Sequence, residues 1–69
     1  MKSIIKLHKD IFSFEKISHT IEAFLEIAQI DVFTKKEYYI CVFSYCKYDV
    51  QKTINEFFNY LIDISNSQE

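Results

Sequence analysis

At 69 residues, with 49% apolar and 17% aromatic side chains, the chain makes one small domain and is too apolar for an intrinsically disordered segment. Eight Lys against ten Asp plus Glu leave a net charge of −2, and with no Arg the chain lacks the dense basic stripe that would make nucleic acid its main partner. No apolar run approaches the roughly 18 residues of a membrane span, and the start MKSIIKLHKD puts charges where a signal peptide keeps its apolar segment. The expectation is a soluble, cytoplasmic protein with no membrane partner.

In chain order, Ser3 to His8 reads as a short strand, with Ile4, Ile5 and Leu7 set among lysines and with Lys6 and His8 on one side. Its lysines mark it as an edge or near-edge strand, since a charged edge discourages unwanted pairing. Phe14, Ile17, Ile21, Phe24, Leu25 and Ala28 recur at spacings of three and four and define one face of a helix. Ser13 is its expected N-cap, and Glu15 suits the positive end of the helix dipole.

From Ile30 to Thr34 the pattern turns β-branched and alternating, and YYICVFSYC from Tyr38 to Cys46 is the strongest strand signal in the chain. Lys35, Lys36 and Glu37 between them predict a hairpin loop without glycine. Asp49 is placed to cap a last helix in which Val50, Ile54, Phe57, Leu61 and Ile64 repeat at three and four. The predicted fold is α+β, in the order β-α-β-β-α: a three-stranded sheet with two helices on one face, a single domain over 1–64 and a frayed polar tail over 65–69.

Such a sheet has one uncovered face, and the strand from Tyr38 is apolar on both sides. Ile40 and Val42 point one way, and Tyr39, Cys41, Phe43 and Tyr45 the other. A half-exposed strand normally alternates with polar residues, so one of these sets is expected to meet a partner. Ile40 and Val42 continue the aliphatic character of Ile5, Leu7 and Val32 and make the more uniform floor for the helices. That leaves Tyr39, Phe43 and Tyr45 as the expected partner-binding residues. The parity of the other strands leaves the reverse assignment open.

Charge divides the same way. Residues 1–10 and 32–48 each carry +2, and residues 11–31 and 49–69 each carry −3, so the sheet is mildly basic and the helices acidic.

Catalytic and metal chemistry find little to build on. Cys41 and Cys46 have four residues between them and no second pair of matching spacing, so no zinc site is expected, and His8 and His19 read as surface groups. On one strand the two cysteines have opposite parity and are not expected to join. No glycine is available for a phosphate-cradling loop or a nucleophile elbow. The expectation is a protein that is not an enzyme and holds no cofactor. A domain this small seldom gains more than about 3 to 5 kcal/mol from its core, and a partner subunit or protein is the expected source of further stability.

The run IFSFEKISHTIEAF, the strand pair IDVF and YYICVF, and the segment INEFFNYLID, together spanning Ile11 to Asp63, resemble the small HxsD family of the His-Xaa-Ser systems. The shared features are an aromatic-Ser start to the first helix, an Ala-Phe pair near its end and an Asn-Glu-Phe segment in the second. Members of that family are encoded beside radical S-adenosylmethionine enzymes and a short peptide that is their presumed substrate. The resemblance implies a non-catalytic accessory protein for peptide maturation. Its partners would be the precursor peptide, the radical enzyme or both, and it carries over no catalytic residues. The open sheet face or edge suits that role, because an extended peptide can add to a sheet through main-chain hydrogen bonds. The alternative is a small homodimerisation module in which two open faces pair.

Overall fold

A computed structural model describes residues 2–66. Its elements run β1 (Ser3–His8), α1 (Phe14–Ala23), β2 (Ala28–Lys35), β3 (Tyr38–Cys46) and α2 (Val50–Ser65), giving the expected α+β order. The sheet is antiparallel with β3 in the centre, in the order β1-β3-β2, so β1 is an edge strand and β2 forms the other edge. No helix among the described residues is long and apolar enough to cross a membrane.

Both helix starts follow from their caps. The Ser13 side chain accepts a hydrogen bond from the Lys16 amide at 3.2 Å, and the Asp49 carboxylate accepts one from Lys52 at 3.0 Å. Thr20 and Thr53, the buried polar residues of the helices, donate their hydroxyl protons to the carbonyls of Lys16 and Asp49, both at 2.9 Å. The helices run antiparallel: Lys16 Nζ meets the Ile64 carbonyl at 2.7 Å, His19 meets Tyr60 at 3.3 Å, and Phe24 packs on Phe57 at 5.5 Å. Lys16 thus places a positive charge on the carbonyl end of α2, whose own last turn has no basic residue.

The first helix is shorter than its apolar stripe predicts. α1 ends at Ala23, and turns lead directly into β2, so Ala28 is a buried strand residue and Leu25 lies exposed. The amides of Ile27 and Ala28 both bond to the Phe24 carbonyl, closing the helix without glycine and freeing the β-branched segment to pair. At the other end of the chain, Ser65 still belongs to α2 and Asn66 caps it; the rest of the expected tail, 67–69, lies outside the described residues.

The edge-strand aliphatics face the helices as expected, but the two sides of β3 are the reverse of those expected. Register places Ile5 and Val32 on either side of Cys41, and Leu7 beside Tyr39, so the aliphatic residues of the edge strands share the helix-facing side with Tyr39, Cys41 and Phe43. Phe43 is 1% exposed and lies within 5.2 Å of the Phe57 ring. Ile40 and Val42 occupy the outer face. The reason is volume: Phe43 fills the space beneath Phe57 with an edge-to-face ring contact, and a shorter aliphatic side chain at that position would leave part of it void.

Tyr45 departs from its set for a second reason. Gln29 pairs with Tyr45 and Ile30 with Phe43, which leaves Ser44 unpaired in a β-bulge. Beyond the bulge the strand reverses its parity. Tyr45 turns outward, 58% exposed, and Cys46 turns inward onto the core. Cys41 and Cys46 therefore share a side after all, and what keeps them apart is the run of strand between them, about 16 Å at 3.3 Å per residue. Both are free thiols.

The β2–β3 hairpin closes with Lys36 and Glu37 between the paired Lys35 and Tyr38, and Lys36 takes a positive φ of 53°. A side chain there is strained, which favours glycine. Lys36→Gly is expected to raise the urea midpoint by an amount equivalent to about 0.5 to 1 kcal/mol, the relief of the left-handed backbone less the extra entropy that glycine loses on folding. Phe57→Ala and Phe43→Ser are each expected to cost about 3 to 5 kcal/mol and abolish the cooperative transition, whereas Val42→Ser keeps it. Denaturation followed by circular dichroism checks all four proteins against the wild type. Unfolding of Val42→Ser with survival of Phe43→Ser would mean that Val42, not Phe43, faces the helices.

Candidate functional site

The outer sheet face is built from three cross-strand rows. Ile4, Val42 and Asp31 form one, Lys6, Ile40 and Phe33 the next, and His8, Tyr38 and Lys35 the last, beside the hairpin turn. Ile40 and Val42 on the central strand are half-buried, while Ile4 (61%) and Phe33 (57%) on the edge strands stand open. Neither helix covers this side, so its apolar surface is held out by pairing alone.

Near the turn the face becomes concave. Lys6, Lys35, Lys36, Glu37, Tyr38 and Ile40 enclose a groove of about 400 Å³. The ammonium of Lys6 lies 5.1 Å from the centre of the Tyr38 ring, a cation–π contact that holds the lysine against the aromatic wall. His8 pairs with Tyr38 beside the groove and is not part of its lining. Its Nδ1 accepts from the Asp10 amide at 3.2 Å, the Glu37 carboxylate stands 3.7 Å from Nε2, and the Tyr38 ring meets the imidazole edge to face at 5.1 Å.

The three residues expected to bind a partner are dispersed. Phe43 is core. Tyr39 is half-buried on the helix side, packed on Phe14 at 5.8 Å with the Lys9 ammonium 5.3 Å from its ring. Of the three, Tyr45 alone reaches the outer side, and it does so beyond the bulge. The residues that do form the open face, Ile4, Phe33, Ile40 and Val42 with Lys6 and Tyr38, carry a signal that lay in the edge strands. The parity that puts Lys6 and His8 on one side of β1 puts whatever pairs with them on the solvent side.

His8 lies at the end of β1 and His19 on α1 against Tyr60, and among the described residues no three His, Cys, Asp or Glu side chains converge as metal ligands. Cys41 is enclosed between the sheet and the helices, where burial disfavours the thiolate and pushes the thiol up to about 11. The chemistry the outer face offers is apolar contact, aromatic stacking and positive charge. Comparison of the chain with protein-family models, curated proteins and solved structures finds no significant match.

Cys41 links stability to alkaline pH. Its thiol ionises near 9 when unfolded and near 11 when folded, so the unfolded state gives up its proton first and the contribution, full below pH 9, is lost as pH rises through 11. Under reducing conditions the wild type is expected to lose about 2 to 3 kcal/mol more than Cys41→Val between pH 8 and pH 11. Urea denaturation of both proteins at the two pH values measures the difference, which is zero if the thiol ionises freely in the folded state.

Proposed function

We propose that this protein is a non-catalytic accessory protein in the maturation of a ribosomally made peptide. It presents its open sheet face, and the free edge beside it, to the precursor peptide or to a radical S-adenosylmethionine enzyme. The observation that carries the reading is the uncovered row pattern, in which Ile40 and Val42 of the central strand are flanked by exposed Ile4 and Phe33 and by Lys6 and Lys35. A protein that needed this sheet only as a scaffold would be expected to alternate polar residues there. An extended peptide gains main-chain bonds at an edge and side-chain contacts on a face. The resemblance over Ile11 to Asp63 supplies the pathway, and the cytoplasm is the compartment in which such a peptide is made.

The test is calorimetric titration of the purified protein with any short peptide and radical S-adenosylmethionine enzyme found encoded beside its gene, with sedimentation of each mixture. At least one of the two is expected to bind, and Val42→Ser is expected to weaken that binding about tenfold or more while remaining folded. A dimer that buries the face and binds neither component would replace this reading with the homodimerisation module.

A further inference from the structure

Building on the peptide-binding reading above, we propose that the groove beside the β2–β3 turn selects an extended segment with two acidic residues four positions apart and an apolar residue midway between them. The charge of the groove points to this class. Lys6, Lys35 and Lys36 line it against Glu37, whose carboxylate is already turned toward His8, and among the described residues no acid stands within salt-bridge distance of those lysines. Surface lysines without partners around an apolar floor favour carboxylates on whatever lies across them.

Spacing narrows the class further. Lys6 and Lys35 sit on opposite edge strands in adjacent rows, Lys6 with Ile40 and Phe33, Lys35 with Tyr38 and His8. Two strand spacings across and two residues along place their Cα atoms about 12 Å apart. In an extended peptide, residues i and i+4 lie on the same side about 13 Å apart, with i+2 between them on that side. Carboxylates at i and i+4 therefore reach the two lysines, and an aromatic or aliphatic residue at i+2 settles on Ile40 against Phe33. A second copy of the chain fits less well. Its acidic helices would meet this face head to tail, an arrangement that builds rings or filaments and not a two-fold dimer.

Fluorescence anisotropy with a labelled Thr-Glu-Thr-Phe-Thr-Glu-Thr peptide, its Gln-for-Glu and its Lys-for-Glu analogues, tests this at low and high salt. The acidic peptide is expected to bind at least tenfold tighter than the Gln analogue, with the advantage lost at high salt. The Lys6→Glu, Lys35→Glu double variant, checked for folding by its thermal transition, is expected to lose the acidic peptide tenfold or more and to prefer the Lys analogue. Equal binding of the acidic and Gln peptides, or no effect of the charge reversal, overturns the proposal. So does capture of the wild type by phosphatidylserine vesicles without binding of the acidic peptide, which would assign the lysines to a lipid surface. If the neighbouring precursor or enzyme binds as well to the charge-reversed variant as to the wild type, the accessory role stands and this selectivity falls. If the acidic peptide binds and neither neighbour does, the selectivity stands and the accessory role falls.

Discussion

Phe57 holds the two layers together. Its ring lies 5.2 Å from Phe43 on the central strand and 5.5 Å from Phe24 at the end of α1, so one side chain of α2 touches both the sheet and the other helix. Edge-to-face contacts of this kind contribute about 0.5 to 1.5 kcal/mol each beyond the apolar area they bury. In a domain that rests on a small core, the orientation of β3 follows from them, because Phe43 meets Phe57 with one parity of the strand and points to solvent with the other. Cys41 and Tyr39 follow Phe43 inward, and Ile40 and Val42 are turned out.

The open face is thus a consequence of how the core is filled. Two helices cover one side of a three-stranded sheet, and on the central strand Phe43 takes that side against Phe57, so the aliphatic pair of β3 is left to the water. The chain offsets this exposure with charge. Lys6, Lys35 and Lys36 outnumber Glu37 near the turn, and Asp31 is segregated to the row farthest from it. This segregation keeps two copies of the sheet face from meeting easily, since like charges would then be brought together. It leaves the same face receptive to a partner with carboxylates.

Strain and order are set side by side at the turn. Lys36 occupies a backbone conformation that suits glycine, yet it adds a positive charge to the rim of the groove. His8, Glu37 and Tyr38 pack around the neighbouring strand end, and the Lys9 amide bonds to the Glu37 carbonyl at 2.9 Å, tying the start of the β1–α1 connection to the hairpin. The groove wall is drawn from two segments distant in sequence, Lys6 of β1 and the hairpin from Lys35 to Ile40.

Local sequence decided the elements. Short aliphatic and aromatic runs set between charged residues gave β1 and β3 their bounds, three-and-four spacing with Ser13 and Asp49 gave the helices their starts, and lysines marked β1 as an edge, because each of these properties depends on residues within one or two turns of chain. The end of α1 was not legible, since the stripe of apolar residues ran on through Leu25 to Ala28 while the pairing of Ala28 with Cys46 claimed the segment for the sheet. The faces of β3 and the inversion at Tyr45 were decided only in three dimensions. A strand apolar on both sides has no preferred face by itself, and the choice came from the register with β1 and β2, the volume Phe43 fills against Phe57, and a bulge at Ser44 that no local residue type announces.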